Sequence, residues 1–414
     1  MAAGGGTQKF IFAREGTFGT KQASGTYDTF RASRGSVRNA VRTVESQLIR
    51  GDRQGAGTQP AFFASEGSLQ TELICNDVAH DELIARGLYS SFVNSDLTDA
   101  GGTTKGNTKT ETGVTIAAAG SNVFNLTGAE SLVTNLLQPG CWFGVNNLSA
   151  AADGWWRVVT VDDLDSITVE ANGIGFDGVV KAHPGVVPGD ADESYSFRFA
   201  RNFTQKIGLT VERGFTDVDE YLFGTGMVVS QFNLNLASEQ LSTGSFTLLG
   251  TGYGTLGATA DASPTAAGTN VPLAASTDVS RIYKGGATLA SVRRVEFALD
   301  NRVTQLSEIG TSTAADVIAG TYAITGTLEA YFNTRTVLED LVQSQAAFSV
   351  ETTFVDPSGN LFSVALPAVN LTGGGVDESG SDDAVVGTYP FGGRLASGGD
   401  YLMQVDSITK PADA

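Results

Sequence analysis

The sequence contains few cysteines and few histidines, two of each among 414 residues. Cys75 and Cys141 are far apart and belong to no CxxC pair, which argues against a disulfide framework or a cysteine-based zinc site. His183 lies in a loop without a cysteine or carboxylate at metal-ligand spacing. We therefore predict no cofactor, no metal and no catalytic residues, and synthesis in a reducing cytoplasm.

Charged residues are also scarce, at 17% of the chain, and most of them are acidic. The formal net charge is −19 at pH 7. Tight DNA binding depends on Lys and Arg side chains that neutralise phosphates, so this balance argues against a surface that grips nucleic acid. The acidic balance is compatible with a surface that repels DNA and lets it slide past, and equally with simple solubility.

Long apolar runs are missing as well. None approaches the ~18 residues of a membrane span, and the first residues show neither the basic nor the apolar region of a secretory signal. We predict no membrane association. Glycine, in contrast, is abundant, with 51 residues, and Thr, Ser and Ala are frequent, a composition typical of turn-rich β proteins. In residues 231–238, for example, Phe232, Leu234 and Leu236 alternate with polar residues.

One local pattern occurs twice, in residues 64–89 and 323–348, at a constant offset without gaps. Each copy is an alternating strand that runs into a short helix. A capping side chain, Asp77 or Thr336, opens each helix at the same position. Repeats this far apart indicate a duplicated domain, because the units of a solenoid recur every few dozen residues.

The predicted fold is mainly β: a duplicated domain of packed antiparallel sheets, each flanked by a short α-helix, with an inserted small β-barrel. The first copy combines residues 1–100 with 193–260, and the second spans 261–414. The insert, 101–192, holds all three tryptophans, which implies a small separate core. Residues 251–278 are low in complexity and predict a surface linker between the copies.

Candidates for chemistry are few. His80 lies on the first predicted helix, where the second copy has Glu339, so we predict a solvated helix face rather than a ligand or base. An enzyme such as a glycan hydrolase would use paired carboxylates like Asp217 and Asp219, and it would need them ~5–10 Å apart in a cleft. We favour the interpretation that the chain is not an enzyme.

Several short segments, spread over nearly the whole chain, carry one resemblance. They are EGTFGT (15–20), TVESQLIRGDRQ (43–54), GSL (67–69), GWWRVVTVDDLDSITVE (154–170), VEFALDN (295–301), GTL (326–328) and SDDAV (381–385) leading into YPF (389–391). The chain resembles the major tail tube proteins of long, non-contractile-tailed bacteriophages, and the segment 43–54 is the most specific match.

The resemblance implies a structural protein of the virion tail, made and assembled in the host cytoplasm. Such proteins form rings that stack into a hollow tube through which double-stranded genomic DNA passes during ejection. The implied partners are identical rings, the tail terminator, the tape measure and distal tail proteins. The repeated domain is then a tail-tube-type domain, and the inserted barrel lies on the tube exterior. Members with one tube domain assemble as hexamers, so the duplication favours a trimeric ring with pseudo-sixfold symmetry over a hexamer.

The sequence also suggests where the contacts of such a ring lie. Four polar residues that alternate with buried leucines are predicted to face the lumen: Gln70, Glu72, Thr327 and Glu329. The polar, Gly-rich loop 51–62 has no evident role in its own domain, so it and the preceding strand are predicted to contact a neighbouring subunit or ring. The contact residues predicted there are Glu45, Arg50, Asp52, Arg53 and Gln54. A capsid decoration protein or another non-catalytic virion component remains the alternative.

Overall fold

A computed structural model describes most of the chain outside residues 95–195. The described ranges are 5–46, 57–94, 97–98, 104–105, 115–118, 123–127, 142–145, 154–162, 166–169, 196–284, 287–289, 291–332, 339–358, 360–376, 384–396 and 401–409. Mainly β structure with antiparallel sheets and few helices is observed, which confirms the predicted fold class.

The elements before the insert begin with a 3-10 turn at Gly5–Thr7. They are β1 (Gln8–Arg14), β2 (Asp28–Phe30), β3 (Arg34–Glu45), β4 (Thr58–Glu72), helix α1 (Val78–Gly87) and β5 (Val93–Asn94). β6 (Leu97–Thr98) precedes the insert, which contains β7 (Thr104–Lys105), β8 (Thr115–Ala118), β9 (Val123–Thr127), β10 (Trp142–Val145), β11 (Gly154–Val161) and β12 (Ser166–Val169). The first half is completed by β13 (Ser196–Arg201), β14 (Leu209–Phe215), β15 (Glu220–Ala237), β16 (Thr243–Gly250) and β17 (Gly252–Leu256).

The second half follows the same succession of strands and a helix. Its elements are β18 (Val279–Lys284), β19 (Ala287–Thr288), β20 (Val292–Asp300), β21 (Thr304–Leu306), β22 (Asp316–Ile318), β23 (Ala323–Tyr331), helix α2 (Glu339–Ser344), β24 (Phe348–Val355), β25 (Leu361–Leu371), β26 (Gly375–Val376), β27 (Val386–Gly393) and β28 (Gln404–Thr409).

The strands of the two halves pair in the same way. In the first half β1 pairs with β2 and β14, β14 with β15, β3 with β4, and β4 with β16. In the second half β18 pairs with β19 and β24, β24 with β25, β20 with β23, and β23 with β27. Helix α1 follows β4, and α2 follows β23, the strand with the corresponding pairings. Both halves therefore have the same topology.

One antiparallel sheet crosses from the first half to the second, in the order β3–β4–β16–β15–β20–β23–β27. The two halves meet where β15 pairs with β20, from Gln231 opposite Asp300 to Ala237 opposite Arg294. One face of this sheet is buried: Leu69, Phe246 and Phe232 lie side by side there, and the rings of Phe232 and Phe246 stack at 5.0 Å. Burial of each such side chain stabilises the folded state by about 2–3 kcal/mol.

A second layer covers the buried face of this sheet. It contains β18, β24, β25, β28 and β13, joined by antiparallel pairing. Phe354 and Phe362 of this layer lie in the same hydrophobic cluster as Leu69 and Leu328 of the first sheet. One core thus holds both halves together.

Helix α1 lies inside this structure. Its N-cap Asp77 accepts hydrogen bonds from the backbone N–H groups of Ala79 and His80, both at 3.0 Å, as its sequence position predicted. Thr336, the predicted cap of the second helix, lies outside the described residues. The prediction of a solvated face at His80 is wrong: its side chain is 1% exposed, and its Nε2 lies 2.6 Å from the Thr71 hydroxyl. His80 packs against Phe30 on β2, with 4.9 Å between the ring centroids, and a comparison of helix sequences does not reveal this contact.

Five of the described strands of the insert form an open antiparallel sheet, in the order β10–β11–β12–β9–β8, while β7 pairs with β6. Within the described residues β8 and β10 do not pair, so the closed barrel predicted for 101–192 is not seen there. Arg157 on β11 forms a buried ion pair with Glu351 on β24, with 2.6 Å between Nη1 and Oε2. The insert is thereby attached to the second layer.

Two further predictions about connecting segments need correction. Residues 251–278 are not simply a surface linker, because β17 pairs with β15 and Leu273 is fully buried. Thr, Ala and Gly in this segment supply backbone hydrogen bonds even though they form no apolar pattern. The loop predicted to span 51–62 ends before residue 62, because β4 already begins at Thr58.

Candidate functional site: a polar sheet face and its two ends

The unburied face of the large sheet is polar across both halves. Gln70 and Glu72 point to it because Leu69 and Thr71, their neighbours on β4, are buried. On β23, Thr327 and Glu329 likewise alternate with buried Leu328 and Ala330. The four residues predicted to face a lumen therefore share one face of one sheet, although three strands separate β4 from β23.

The registers align these two pairs of residues. Glu72 lies opposite Thr243, which lies opposite Asn235; Asn235 lies opposite Glu296, which lies opposite Thr327. A single cross-strand row thus runs from Glu72 to Thr327. Neighbouring rows contain mainly hydroxyl and amide side chains, such as Asn233, whose Nδ2 donates to the Ser245 hydroxyl at 3.3 Å.

Two arginines on this face, Arg38 and Arg294, lie beside carboxylates. Arg294 donates from Nε to the Asn235 side-chain oxygen at 3.1 Å, forms an ion pair with Glu296 and has Nη1 at 3.7 Å from Glu329 Oε1. Arg38 pairs with Glu66 at 3.1 Å. Because their guanidinium groups already have carboxylate neighbours, these two arginines are poorly placed to bind the phosphates of a nucleic acid.

One end of the sheet carries the β3–β4 hairpin, whose strands stay paired as far as Glu45 and Thr58. Val44 is 61% exposed there, and the Ser46 N–H donates to the Gly57 carbonyl at 3.2 Å. The corresponding connection of the second half bridges in parallel to β4 at Phe63 and places the fully exposed Ile309 toward the same end. We call Val44, Glu45 and Ile309 the hairpin end.

At the opposite end, four exposed apolar side chains lie together: Tyr331, Phe332, Val376 and Val385. The Phe332 N–H donates to the Val385 carbonyl at 3.0 Å. Tyr331 and Val376 flank this bond because they pair with the two residues that follow Val385. We call this group the bare strand end. An open cavity of about 480 Å³ adjoins it and is lined by Tyr331 and by charged and polar residues, among them Glu239, Arg293, Arg294 and Glu329.

The first half has the same strand end, but there it is covered. The Leu73 N–H donates to the Ser242 carbonyl at 2.8 Å, as Phe332 does to Val385. Leu273 then adds an extended segment: its N–H donates to the Leu73 carbonyl at 2.9 Å, and its carbonyl accepts from the Ser242 N–H at 2.8 Å. Leu73 and Leu273 are both buried.

The predicted contact residues are only partly described. Glu45 is exposed at the hairpin end, whereas Arg50, Asp52, Arg53 and Gln54 lie outside the described residues. Asp217 and Asp219, the alternative carboxylate pair, lie on an exposed turn between β14 and β15 rather than in a cleft. Within the described ranges no cluster of His, Cys, Asp and Glu could hold a metal ion, and no helix is long and apolar enough to cross a membrane.

Two structural carboxylates escaped the sequence analysis. Glu15 accepts hydrogen bonds from the N–H groups of Gly19 (2.7 Å) and Gly226 (2.8 Å) and from the Thr210 hydroxyl (3.0 Å), which fixes the turn after β1. Its position in the EGTFGT segment was the available signal. Asp81 on α1 accepts from Arg198 at 2.5 Å and from Ser407 at 3.4 Å, and burial raises its pKa to about 6.

One comparison with known proteins gives a match. The family described as phage tail tube protein matches residues 5–393, nearly the whole chain. No match is found among the curated proteins. The matched range contains most of both halves and the polar sheet face to which both contribute.

Proposed function

Because the chain belongs to the phage tail tube protein family, it is a structural protein of the virion tail that assembles with other tail proteins, and we propose that three copies close each ring of the tube. The polar face of the large sheet lines the lumen in this proposal, and double-stranded DNA passes along it. The observation that carries the proposal is the single polar sheet face to which both halves contribute.

The internal junction between the halves supports a ring of three chains. Both halves have the same strand pairings, so we interpret them as two copies of one tube domain, residues 1–100 with 193–260 and residues 261–414. Within the chain, β15 of the first copy pairs with β20 of the second. β26 continues β25, the counterpart of β15, and has one described partner, while β3, the counterpart of β20, pairs only with β4 among the described strands.

Open strand edges of this kind are suited to pairing with another chain. If β3 of one subunit pairs with the β25–β26 side of its neighbour, each junction between chains repeats the junction within a chain. Three chains then supply six equivalent junctions and close the sheet with cyclic symmetry. The insert would lie outside this wall, since it is attached to β24 in the second layer.

The polar face fits DNA passage because it offers hydroxyls, amides and paired charges. A wall that neutralised many phosphates would hold DNA through counterion release. The net charge of −19 per chain disfavours such binding. The resemblance adds the tail terminator, tape measure and distal tail proteins as partners.

Native mass spectrometry and electron microscopy of the purified protein test this proposal. We expect rings that contain three copies of the 43.0 kDa chain and show six similar lobes in projection, together with hollow tubes at high concentration. Rings of six chains would disprove the trimer. Discrete particles that never stack would favour a capsid decoration protein instead.

A further inference from the structure

We propose that the end of helix α2 receives β3 of a neighbouring copy in the same ring, with Val41 of that copy packed on Ala346. The inference rests on the proposed function, since it requires that chains close a ring. It also assigns a role to Gln345, which supplies within each chain the hydrogen bonds that an apolar neighbour cannot offer to the end of the helix.

The end of α1 shows how one half covers a helix of the other half. The side-chain amide of Asn301, which directly follows β20, donates from Nδ2 to the Gly87 carbonyl at the end of α1 and to the Val229 carbonyl on β15, both at 2.9 Å. Asn301 and Gly87 are buried. Because a buried carbonyl group without a donor costs free energy, the second half satisfies the first half at this junction.

A side-chain amide forms a similar bridge in the second half, but there it belongs to the helix end itself. Gln345 directly follows α2 and donates from Nε2 to the Val342 carbonyl of the helix at 2.7 Å. The same Nε2 donates to the Leu371 carbonyl on β25 at 3.1 Å. The end of α2 therefore has its donor without help from another domain.

The cross-strand registers show that the two bridges are equivalent. Val229 and Leu371 each lie two strands away from a glycine of the repeated segment, Gly67 for Val229 and Gly326 for Leu371. Both bridges therefore join the end of a helix to the same position of the sheet. The donor comes from the other half in the first case and from the same half in the second.

The counterpart of Asn301 in the first half is an apolar residue, Val41. Asn301 follows Phe297 by four residues, Val41 follows Val37 by four residues, and Phe297 and Val37 each pair with the repeated glycine of their half. Val41 therefore faces the same side of the sheet as the buried Val37, yet it is 47% exposed. When β3 lies beside β25 of a neighbouring copy, Val41 takes the place at α2 that Asn301 takes at α1.

The end of α2 is open in a single chain and has small side chains that can receive Val41. Residues 343–347 (QSQAA) are exposed, whereas their counterparts 84–88 (IARGL) are buried. Ala346 is the counterpart of Gly87 in the repeated segment, and Gly87 is the residue of α1 that Asn301 contacts. A valine packed on alanine removes apolar area of both copies from water, and this burial favours association.

Gln345 explains why the neighbour can be apolar at this position. A valine excludes water from the end of α2 but offers no hydrogen-bond donor. The Val342 and Leu371 carbonyls keep a donor in the ring because Gln345 belongs to the same chain. Removal of this amide should therefore weaken the ring more than the free chain, in which the end of α2 is exposed.

Four variants test the assignment: Val41→Asp, Gln345→Ala, the double variant Gln345→Ala with Val41→Asn, and the control Val159→Asp. Val159 is an exposed apolar residue on the insert. The concentration at which rings dissociate, measured by native mass spectrometry, should rise about ten-fold or more for Val41→Asp and for Gln345→Ala. The double variant should recover much of this loss, because the new asparagine repeats the arrangement of Asn301 at α1. The control should keep the wild-type value.

The outcomes separate this inference from the proposed function. If the wild-type protein forms no rings, both fail. If rings form and those of Val41→Asp dissociate no more readily than those of the control, only the contact surface is wrong. If Gln345→Ala weakens the rings and the double variant recovers nothing, the equivalence of Val41 with Asn301 is overturned. Chemical denaturation of the unassembled chains checks that every variant folds.

Cysteine cross-linking gives a second readout without a charged substitution. In a Cys141→Ser background, Val41→Cys combined with Ala346→Cys should link chains covalently when isolated rings are oxidised, and the buried Cys75 can stay. Each single cysteine variant serves as a control and should remain unlinked. Isolated rings that yield no linked chains would disprove the assignment. Links that form only in stacked tubes would place the contact between rings and disprove it as well.

Discussion

The two equivalent strand ends, one at Leu73 and one at Phe332, are the most instructive pair of regions in this protein. Both follow a long strand of the same sheet, and both form a hydrogen bond to the strand beside them, with Ser242 or Val385. The first is covered by Leu273 and belongs to the core, whereas the second is exposed. The same local structure thus contributes to the core in one half and leaves exposed apolar side chains in the other.

The two helices show the same division. α1 is buried between the large sheet and the strands β13 and β28, and even its charged residues are buried. α2 buries Leu341 and Val342 only in part and exposes Gln343 and Ser344. Helix α1 is therefore enclosed by the fold, whereas α2 lies at its surface.

Truncation of the covering residue should have the largest effect on stability. Leu273→Ala removes a fully buried side chain, so we expect the free energy of unfolding to fall by about 2–5 kcal/mol. Val271→Ala, at an exposed position of the same segment, should change it by less than about 0.5 kcal/mol. Chemical denaturation of the unassembled chain measures both. Equal effects would show that Leu273 does not cover the strand end.

The pH dependence of stability sharpens the comparison of the helices. Burial raises the pKa of Asp81 to about 6, above its usual value of 3.8, so the folded state holds this proton more tightly than the unfolded state. Its stabilising contribution is complete below pH 3.8 and is lost as the pH rises through about 6, a change of up to about 3 kcal/mol. The groups that face this carboxyl are Arg198, His80, Asp77 and Ser407.

Asp81→Asn should therefore flatten the decline in stability between pH 4 and 7, measured by thermal unfolding across that range. Asp340→Asn is the matched control, because Asp340 occupies the equivalent position on α2 and is only half buried. A wild-type curve that does not fall over this pH range would refute the role of Asp81.

Truncation at the bare strand end should have the smallest effect on the isolated chain. Since Phe332 is 41% exposed, Phe332→Ala should cost no more than about 1 kcal/mol of folding free energy. Leu73→Ala, at the equivalent covered position, should cost about 2–5 kcal/mol in the same denaturation experiment. If the two costs were similar, the distinction between a covered and a bare strand end would not hold.

Alternation and repetition in the sequence predicted much of this structure. Phe232, Leu234 and Leu236 are buried as their spacing indicates, and the Asp77 cap lies where the repeat places it. Gln70 and Thr327 could each be assigned to a polar face from their own strands. That they share one face depends on the pairing of β15 with β20, which no local pattern contains.

The features that were missed depend on segments distant in the sequence. His80 is buried against Phe30 on β2, and the neighbouring Asp81 pairs with Arg198 on β13, more than a hundred residues away. Leu273 covers Leu73 from within a stretch that has no apolar period. In both cases the local sequence shows no special pattern. The contacting residue comes near only in the folded chain, so the periodicity of the sequence cannot predict the contact.

The placement of the β3–β4 hairpin at one end of the sheet and of Phe332 at the other gives every protomer a direction. A column of such protomers, all oriented alike, would expose the hairpin end at one extremity and the bare strand end at the other. Proteins that bind the two extremities would then need different surfaces. One would contact Val44, Glu45 and Ile309, and the other would contact the exposed apolar side chains around Phe332.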